Sequence, residues 1–276
     1  MPPMSARPFI SLLTDFGARD PSGAICEGVI LGISPDASVV HISHEVAKFA
    51  IRDGALMLWC AVPYFPVGIH VAVVDPGVGT ARRPVALKTA RGDILIGPDN
   101  GLLRPAARLL GDVVAAHELR SEAHRLHPVS TSFHGRDIFS PAAAHLANGV
   151  PLADLGPAFD PASLADLVIP DATPLADGLT SSVVYIDTFG NCKLAGLRPD
   201  LEAVVGPMRS GRSARIETAA GTGWDIYWAD TFGDVEPGRP ILYVDSYDRL
   251  TLAINQGNAA AALGLRQDEP IAIHVA

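Results

Sequence analysis

Two different rhythms of apolar and polar positions run along this chain. Up to about residue 148, short apolar runs alternate with stretches of helical spacing, the signature of strands and helices in succession. Phe9 to Leu13 predicts a strand, residues 22–33 a helix burying Ile25, Val29, Ile30 and Ile33, and Val39 to Ile42 a second strand. Leu56, Trp59 and Val62 share a helical face ahead of an apolar strand that begins at Ile69 and runs into Asp75. Pro84 to Thr89 and Asp93 to Gly97 predict a strand pair across Arg91-Gly92, followed by a turn at Pro98-Asp-Asn-Gly101 and a closing helix over residues 136–148. The expected fold is an α/β N-terminal domain with a largely parallel sheet flanked by helices.

Beyond residue 168 the rhythm shortens. Residues 169–179, rich in Pro, Asp, Thr and Gly, predict a linker between a domain at 1–168 and one at 180–276. The second domain carries short strand patterns at Ser182 to Asp187, Ala203 to Val205, Ala214 to Glu217, Ile241 to Val244, Leu250 to Ile254 and Ile271 to Val275. It reads as a smaller, mainly antiparallel β domain, a sheet or a barrel. Asp-Thr-Phe-Gly occurs at 187–190 and again at 230–233, too short a match to indicate duplication.

The chain's 276 residues suffice for two domains of ordinary size. A net charge of -9 and the lack of clustered Lys and Arg argue against binding to nucleic acid, so no nucleic-acid partner is expected. No apolar run approaches the roughly 20 residues of a membrane span, and proline breaks the opening segment, so a cytoplasmic protein without membrane attachment is expected. Cys26, Cys60 and Cys192 form no CxxC pair and read as plain thiols, and no metal site is expected.

Candidate chemistry gathers at four places. Asp75-Pro-Gly-Val-Gly-Thr-Ala-Arg82 brings a carboxylate from a strand end into a glycine-rich turn with an arginine behind it, where open α/β sheets place ligands. A carboxylate capping its own turn is the plainer alternative. In Thr14-Asp15-Phe-Gly-Ala-Arg-Asp20-Pro-Ser22, Asp15 suits bidentate binding of a ribose diol, while helix capping accounts for Asp20 or Ser22 alone. His134 directly precedes a helix, whose positive end disfavours imidazolium and leaves a neutral base; capping of that helix is the alternative. Tyr185-Ile-Asp187-Thr-Phe189-Gly-Asn191 offers an aromatic plane and an amide able to read a purine edge, or a hairpin turn. Neither a dinucleotide fingerprint, a P-loop, a zinc signature nor a GxSxG elbow is present.

These motifs, in this order, resemble one family: the adenosine-forming S-adenosyl-L-methionine (SAM) hydrolases, formerly SAM hydroxide adenosyltransferases, relatives of fluorinase and chlorinase. The resemblance runs through LLTDFG at 12–17, VVDPGVGT at 73–80, GPDNGLL at 97–103, FHGRDIFSPAAAHLA at 133–147, DTFGN at 187–191 and INQGNAAAALGL at 254–265. It implies a water-activating set of Asp75, Arg82 and His134. It also implies substrate contacts from Asp15, Asp20, Ser22, Phe49, Asp187, Phe189, Asn191 and Ser246. The implied assembly is a homotrimer with active sites at subunit interfaces, turning SAM into adenosine and L-methionine without a cofactor. The chain departs from the family pattern in two segments. Cys192-Lys-Leu-Ala-Gly196 stands where relatives have a Thr-Asn pair, and Asp245-Ser-Tyr-Asp248 replaces a small Ser-Ser-Gly-type loop.

Two other functions fit the same motifs. A halogenase would use chloride or fluoride at the same carbon, but an anionic Asp75 repels a desolvated halide. A non-catalytic SAM or adenosine binding protein would carry a similar pocket.

Overall fold

The computed structural model describes residues 7–276, and the chain divides between Leu167 and Val168 into two compact units. The first unit holds six strands, β1 (Phe9–Thr14), β2 (Ser38–Ser43), β3 (Ile69–Val73), β4 (Pro84–Thr89), β5 (Ile94–Pro98) and β6 (Val113–Glu118), in the order 2-1-3-5-4-6. Its helices are α1 (Ser22–Ile33), α2 (Ile51–Ala61), α3 (Arg104–Leu109) and α4 (Ser140–Ala147). Strand β3 is buried at every position because both sheet faces are covered. Ile69, Val71 and Val73 pack with Cys26 and Ile30 of α1 and Ala142 to Ala144 of α4, while Ala72 packs with Ala55 and Leu58 of α2 and Ala106 and Ala107 of α3.

The sheet is mixed, which corrects the expectation of a largely parallel one. β1 runs parallel to β2 and β3, and β3 to β5, but β4 is antiparallel to both β5 and β6. The reason is chain length: Ala90 to Asp93 can close a hairpin between β4 and β5 but cannot make the crossover that parallel neighbours need. Helix α1 buries Ile30 and packs Ile33 against the core as its spacing predicts, but not Ile25. Gly23, Cys26 and Ile30 turn inward, Ile25 is exposed, and a Cβ on Gly23 would collide with the His44 ring.

The second unit holds β7 (Thr173–Pro174), β8 (Gly178–Ile186), β9 (Cys192–Leu197), α5 (Arg198–Val205), β10 (Ser213–Thr218), β11 (Gly223–Trp228), β12 (Pro240–Val244), β13 (Arg249–Ile254), α6 (Ala259–Leu263) and β14 (Pro270–Val275). Because β14 pairs with both β10 and β8, strands β8 to β14 close into a barrel, antiparallel except between β11 and β12. Closure leaves that ring without free edges. Ala203 to Val205 form the end of α5 and not a strand, and residues 169–179 contain β7 and the start of β8. No described helix is long and apolar enough to cross a membrane.

A polar cluster is buried where β3 begins. Ser11 Oγ lies 2.8 Å from His70 Nδ1, and His70 Nε2 lies 3.1 Å from Asp93 Oδ1. Asp93 also accepts from the Gly68 N–H at 3.1 Å and from Arg91 Nε at 2.6 Å. Burial alone would raise the Asp93 carboxyl pKa, but the hydrogen bonds from Arg91, His70 and Gly68 outweigh it and hold the group well below the usual carboxylate range. Removing the acceptor strands all three donors. Asp93→Ala is therefore expected to lower stability near neutral pH by about 3 kcal/mol or more, read as a fall in the urea midpoint. A depressed folded pKa stabilises fully above the unfolded value and less as pH falls through the folded one. The wild-type advantage should accordingly shrink below about pH 4, and an advantage unchanged at about pH 2.5 would contradict this account.

Candidate active site

Three chain segments converge at the carboxyl ends of β1 and β3. Asp15 follows the last residue of β1, and Asp75 comes two residues after the end of β3. The turn after Asp75 lies against the segment carrying Thr131, and Gly79 permits it: its φ of 75° favours glycine, and a Cβ there would overlap the Thr131 carbonyl. That approach brings the loop at Ser132 to His134 beside the turn. The loop leads into a single π-helical turn, Gly135–Phe139, which runs on into α4. Together these segments wall a cavity of about 340 Å³ lined by Asp15, Asp20, Ser22, Lys48, Phe49, Asp75 and His134 among others.

Arg82 joins the two central groups. Its Nε donates to Asp75 Oδ1 at 3.0 Å, its Nη2 donates to Asp75 Oδ2, and the same Nη2 lies 3.0 Å from His134 Nδ1. Both side chains of the ion pair are buried, at 7% and 4% exposure, and the guanidinium lies over the Phe139 ring. Since a guanidinium can only donate, His134 Nδ1 must accept, which places the proton of the neutral ring on Nε2. Burial lowers the His134 pKa from its ordinary value, and the charge of Arg82 lowers it further against an opposing effect of Asp75. The neutral imidazole foreseen from the helix terminus thus has a different cause. His134 makes no capping hydrogen bond, and the Asp75 carboxylate engages Arg82, so capping explains neither residue.

On the other side of the cavity, Asp15 is buried and its Oδ2 accepts the Phe49 N–H at 2.9 Å. Phe49 sits at φ 65°, a strained conformation for an aromatic residue, and the residue is 69% exposed at the cavity. Lys48 Nζ donates to the Asp15 carbonyl. Asp20 Oδ1 accepts the Ser22 N–H at 2.9 Å and also the Ser22 hydroxyl, and these bonds lower its pKa.

The remaining candidates lie in the second unit, around a separate cavity of about 630 Å³. Asp187 shapes the hairpin between β8 and β9: Oδ1 accepts the N–H groups of Phe189 and Asn191 at 2.9 and 3.0 Å, and Oδ2 accepts Asn191 Nδ2 at 2.9 Å. Phe189 is 75% exposed at this cavity, and Ser246 lines it too. Sequence reasoning missed Lys48, whose place beside Phe49 was the available signal, and missed Lys193, Tyr243 and Tyr247 around the second cavity. Among the described residues, no group of three or more His, Cys, Asp or Glu could hold a metal ion.

The chain is 45% identical over 262 residues to an (R)-S-adenosyl-L-methionine hydrolase of Salinispora tropica, covering 95% of this chain and 96% of that protein. A fluorinase of Actinoplanes sp. is more distant, 28% identical with 96% of each chain covered. The crystal structure of an uncharacterized conserved protein from Thermotoga maritima superposes with a TM-score of 0.88 at 31% identity, covering 96% of this chain and 99% of that one. Residues 10–156 match the SAM hydroxide adenosyltransferase N-terminal domain and residues 181–272 the C-terminal domain. With both domains matched in order, the chain belongs to the SAM hydroxide adenosyltransferase family.

Proposed function

We propose that this protein hydrolyses SAM to adenosine and L-methionine, with water attacking the 5'-carbon. The observation that carries the reading is the Asp75–Arg82–His134 chain at the wall of a cavity that also holds Asp15 and the exposed Phe49 ring. The hydrolase relative at 45% identity, set against the fluorinase at 28%, supports water over halide as the nucleophile.

The chemistry asks little of the protein beyond holding water. Attack forms a C–O bond as the C–S bond breaks, and the bonding pair leaves on sulfur as the neutral thioether of methionine. No general acid is needed for that leaving group, and no cofactor is required. Asp75 accepts the proton of the attacking water, while the Nε2–H of His134 donates to its oxygen and fixes its line of approach. Arg82 holds both partners in place. Asp15 binds the ribose diol, Phe49 packs on the nucleoside, and Asp20 and Ser22 face the amino-acid end.

Incubation with SAM in halide-free buffer should release adenosine and methionine in equal amounts. In ¹⁸O-labelled water the label should enter the 5'-hydroxyl of adenosine. Formation of 5'-chloro-5'-deoxyadenosine in chloride, or label found only in methionine, would rule the reading out.

Asp75→Ala and His134→Ala should each lower kcat by about 100-fold or more with KM within a few-fold, whereas Asp15→Ala should chiefly raise KM. The pH profile adds a separate check. His134 works as the neutral ring and its pKa lies below the ordinary 6.5, so activity should persist below pH 6.5 and fall only as pH drops through the lowered value. An acid limb centred above 6.5 would argue against this role.

The proposal extends to a homotrimer in which the first-unit cavity of one subunit works with the second-unit cavity of a neighbour. Support comes from the exposed rings of Phe49 and Phe189, each left bare at its own open cavity. Co-expression of Asp75→Ala with Asn191→Ala chains, both inactive alone, should restore activity in hybrid trimers. Hybrid trimers without activity would place each site within one chain.

A further inference from the structure

Lys193 lies 8% exposed at the wall of the second-unit cavity, and its ammonium is paired with Asp245 across 52 residues of sequence. Both residues belong to the two segments in which this chain departs from the family pattern. Their partners differ in number. Asp245 Oδ1 accepts the N–H groups of Tyr247 and Arg249 at 2.9 and 3.1 Å, and Oδ2 accepts the Thr251 hydroxyl at 3.2 Å as well as Lys193. Four donors thus occupy the carboxylate, about the number its lone pairs accommodate. Asp245 is held by its own hairpin loop and would keep three donors without the lysine.

Lys193 is not held in the same way. An ammonium has three N–H donors, and among the described residues Asp245 is its one hydrogen-bond acceptor, with the Tyr247 ring 4.7 Å away on another side. A buried cation with unused donors at a cavity wall is set to meet an anion. Lys193 is also the only cationic residue among those lining this cavity.

Resting on the proposed hydrolysis of SAM in a site where the first-unit cavity of one subunit works with the second-unit cavity of a neighbour, we infer that Lys193 is a specificity-determining residue that binds the α-carboxylate of the substrate's amino-acid end. The chemistry of the substrate favours one partner, because a charge-assisted bond to an anion is stronger than one to a neutral acceptor. Adenine and ribose are uncharged, the sulfonium and α-amino groups are cations, and the carboxylate is the one anion that an ammonium can attract. The Lys193–Asp245 pair also gives selection a cost for mismatch. A substrate without the carboxylate enters a pocket whose ammonium stays buried with unmet donors.

The test compares SAM with decarboxylated SAM, which keeps the sulfonium, the nucleoside and the amine. Wild-type protein should show a KM for SAM about 10- to 100-fold below that for the decarboxylated compound, the span expected for one charge-assisted hydrogen bond. In Lys193→Met the preference should vanish: the KM for SAM should rise, and that for the decarboxylated compound should stay level or fall as the unmet ammonium is removed, so that the two converge. Lys193→Arg, which retains the charge, should keep part of the preference. Lys193→Met that still prefers SAM by the wild-type ratio, or a wild type with no preference, overturns the inference while leaving hydrolysis standing. If wild type turns over neither compound, the functional reading falls and the inference with it. Should Lys193→Met fold poorly with Asp245 left unpaired, Lys193→Met combined with Asp245→Asn removes the stranded charge, and the same comparison decides.

Discussion

A carboxylate delivered by a strand buried on both faces needs a cation, and the arrangement at the first cavity follows from how Arg82 meets Asp75. Two parallel hydrogen bonds from one guanidinium fix the carboxylate plane as no single point charge would. The cation then has a direction left over, and Nη2 spends it on His134. One geometry therefore sets the orientation of the Asp75 carboxylate and the tautomer of His134. Phe139, in the π-helical turn, completes the cage from below the guanidinium plane. Such turns are frequent at functional sites, because one extra residue in the turn re-aims the side chains around it.

The strand that delivers Asp75 is fixed at its other end by charge as well. His70, near the start of β3, hands its ring to Ser11 on β1 and to Asp93 ahead of β5, so three neighbouring strands share one buried polar cluster. Buried carboxylates are tolerated only when their lone pairs are occupied, and both Asp75 and Asp93 meet that condition through an arginine close in sequence. Strand β3 is thus tied at both ends in register with β1, which favours precise placement of Asp15 and Asp75 relative to one another.

What could be read from the sequence was local. Strand-end acids, the glycine turn and the helix start after His134 all announce themselves within a few residues. The mixed sheet was partly visible, since the Arg91-Gly92 hairpin already required an antiparallel pair, but β6 carries no clear alternation and Val114 in it is exposed. Ala203 to Val205 misled because three apolar residues carry no period, and only the preceding Arg198-Pro start marks them as a helix end. The face of α1 depended on a glycine seated against His44, a packing fact that spacing does not encode. Long-range pairings were the least legible: Arg82 with His134 and Lys193 with Asp245 are each 52 residues apart; the first was implied by the family resemblance and by no local pattern, and the second becomes evident only when the barrel is closed.

The two exposed phenylalanines draw these strands of argument together. Phe49 is held at φ 65°, which costs of order 1 to 3 kcal/mol, and the hydrogen bond from its N–H to the buried Asp15 carboxylate is what offsets that strain. Phe189 is held by the three hydrogen bonds that Asp187 accepts in its hairpin. In each case an acid orders the backbone, and the backbone presents a largely exposed aromatic residue at an open cavity. A ring left bare in this way gains on stacking against a flat partner, and the purine of the proposed substrate is one. The carboxylates of Asp15 and Asp187 thereby serve the ligand twice in the proposed function, through their own polar reach and through the aromatic surface that each one holds in position.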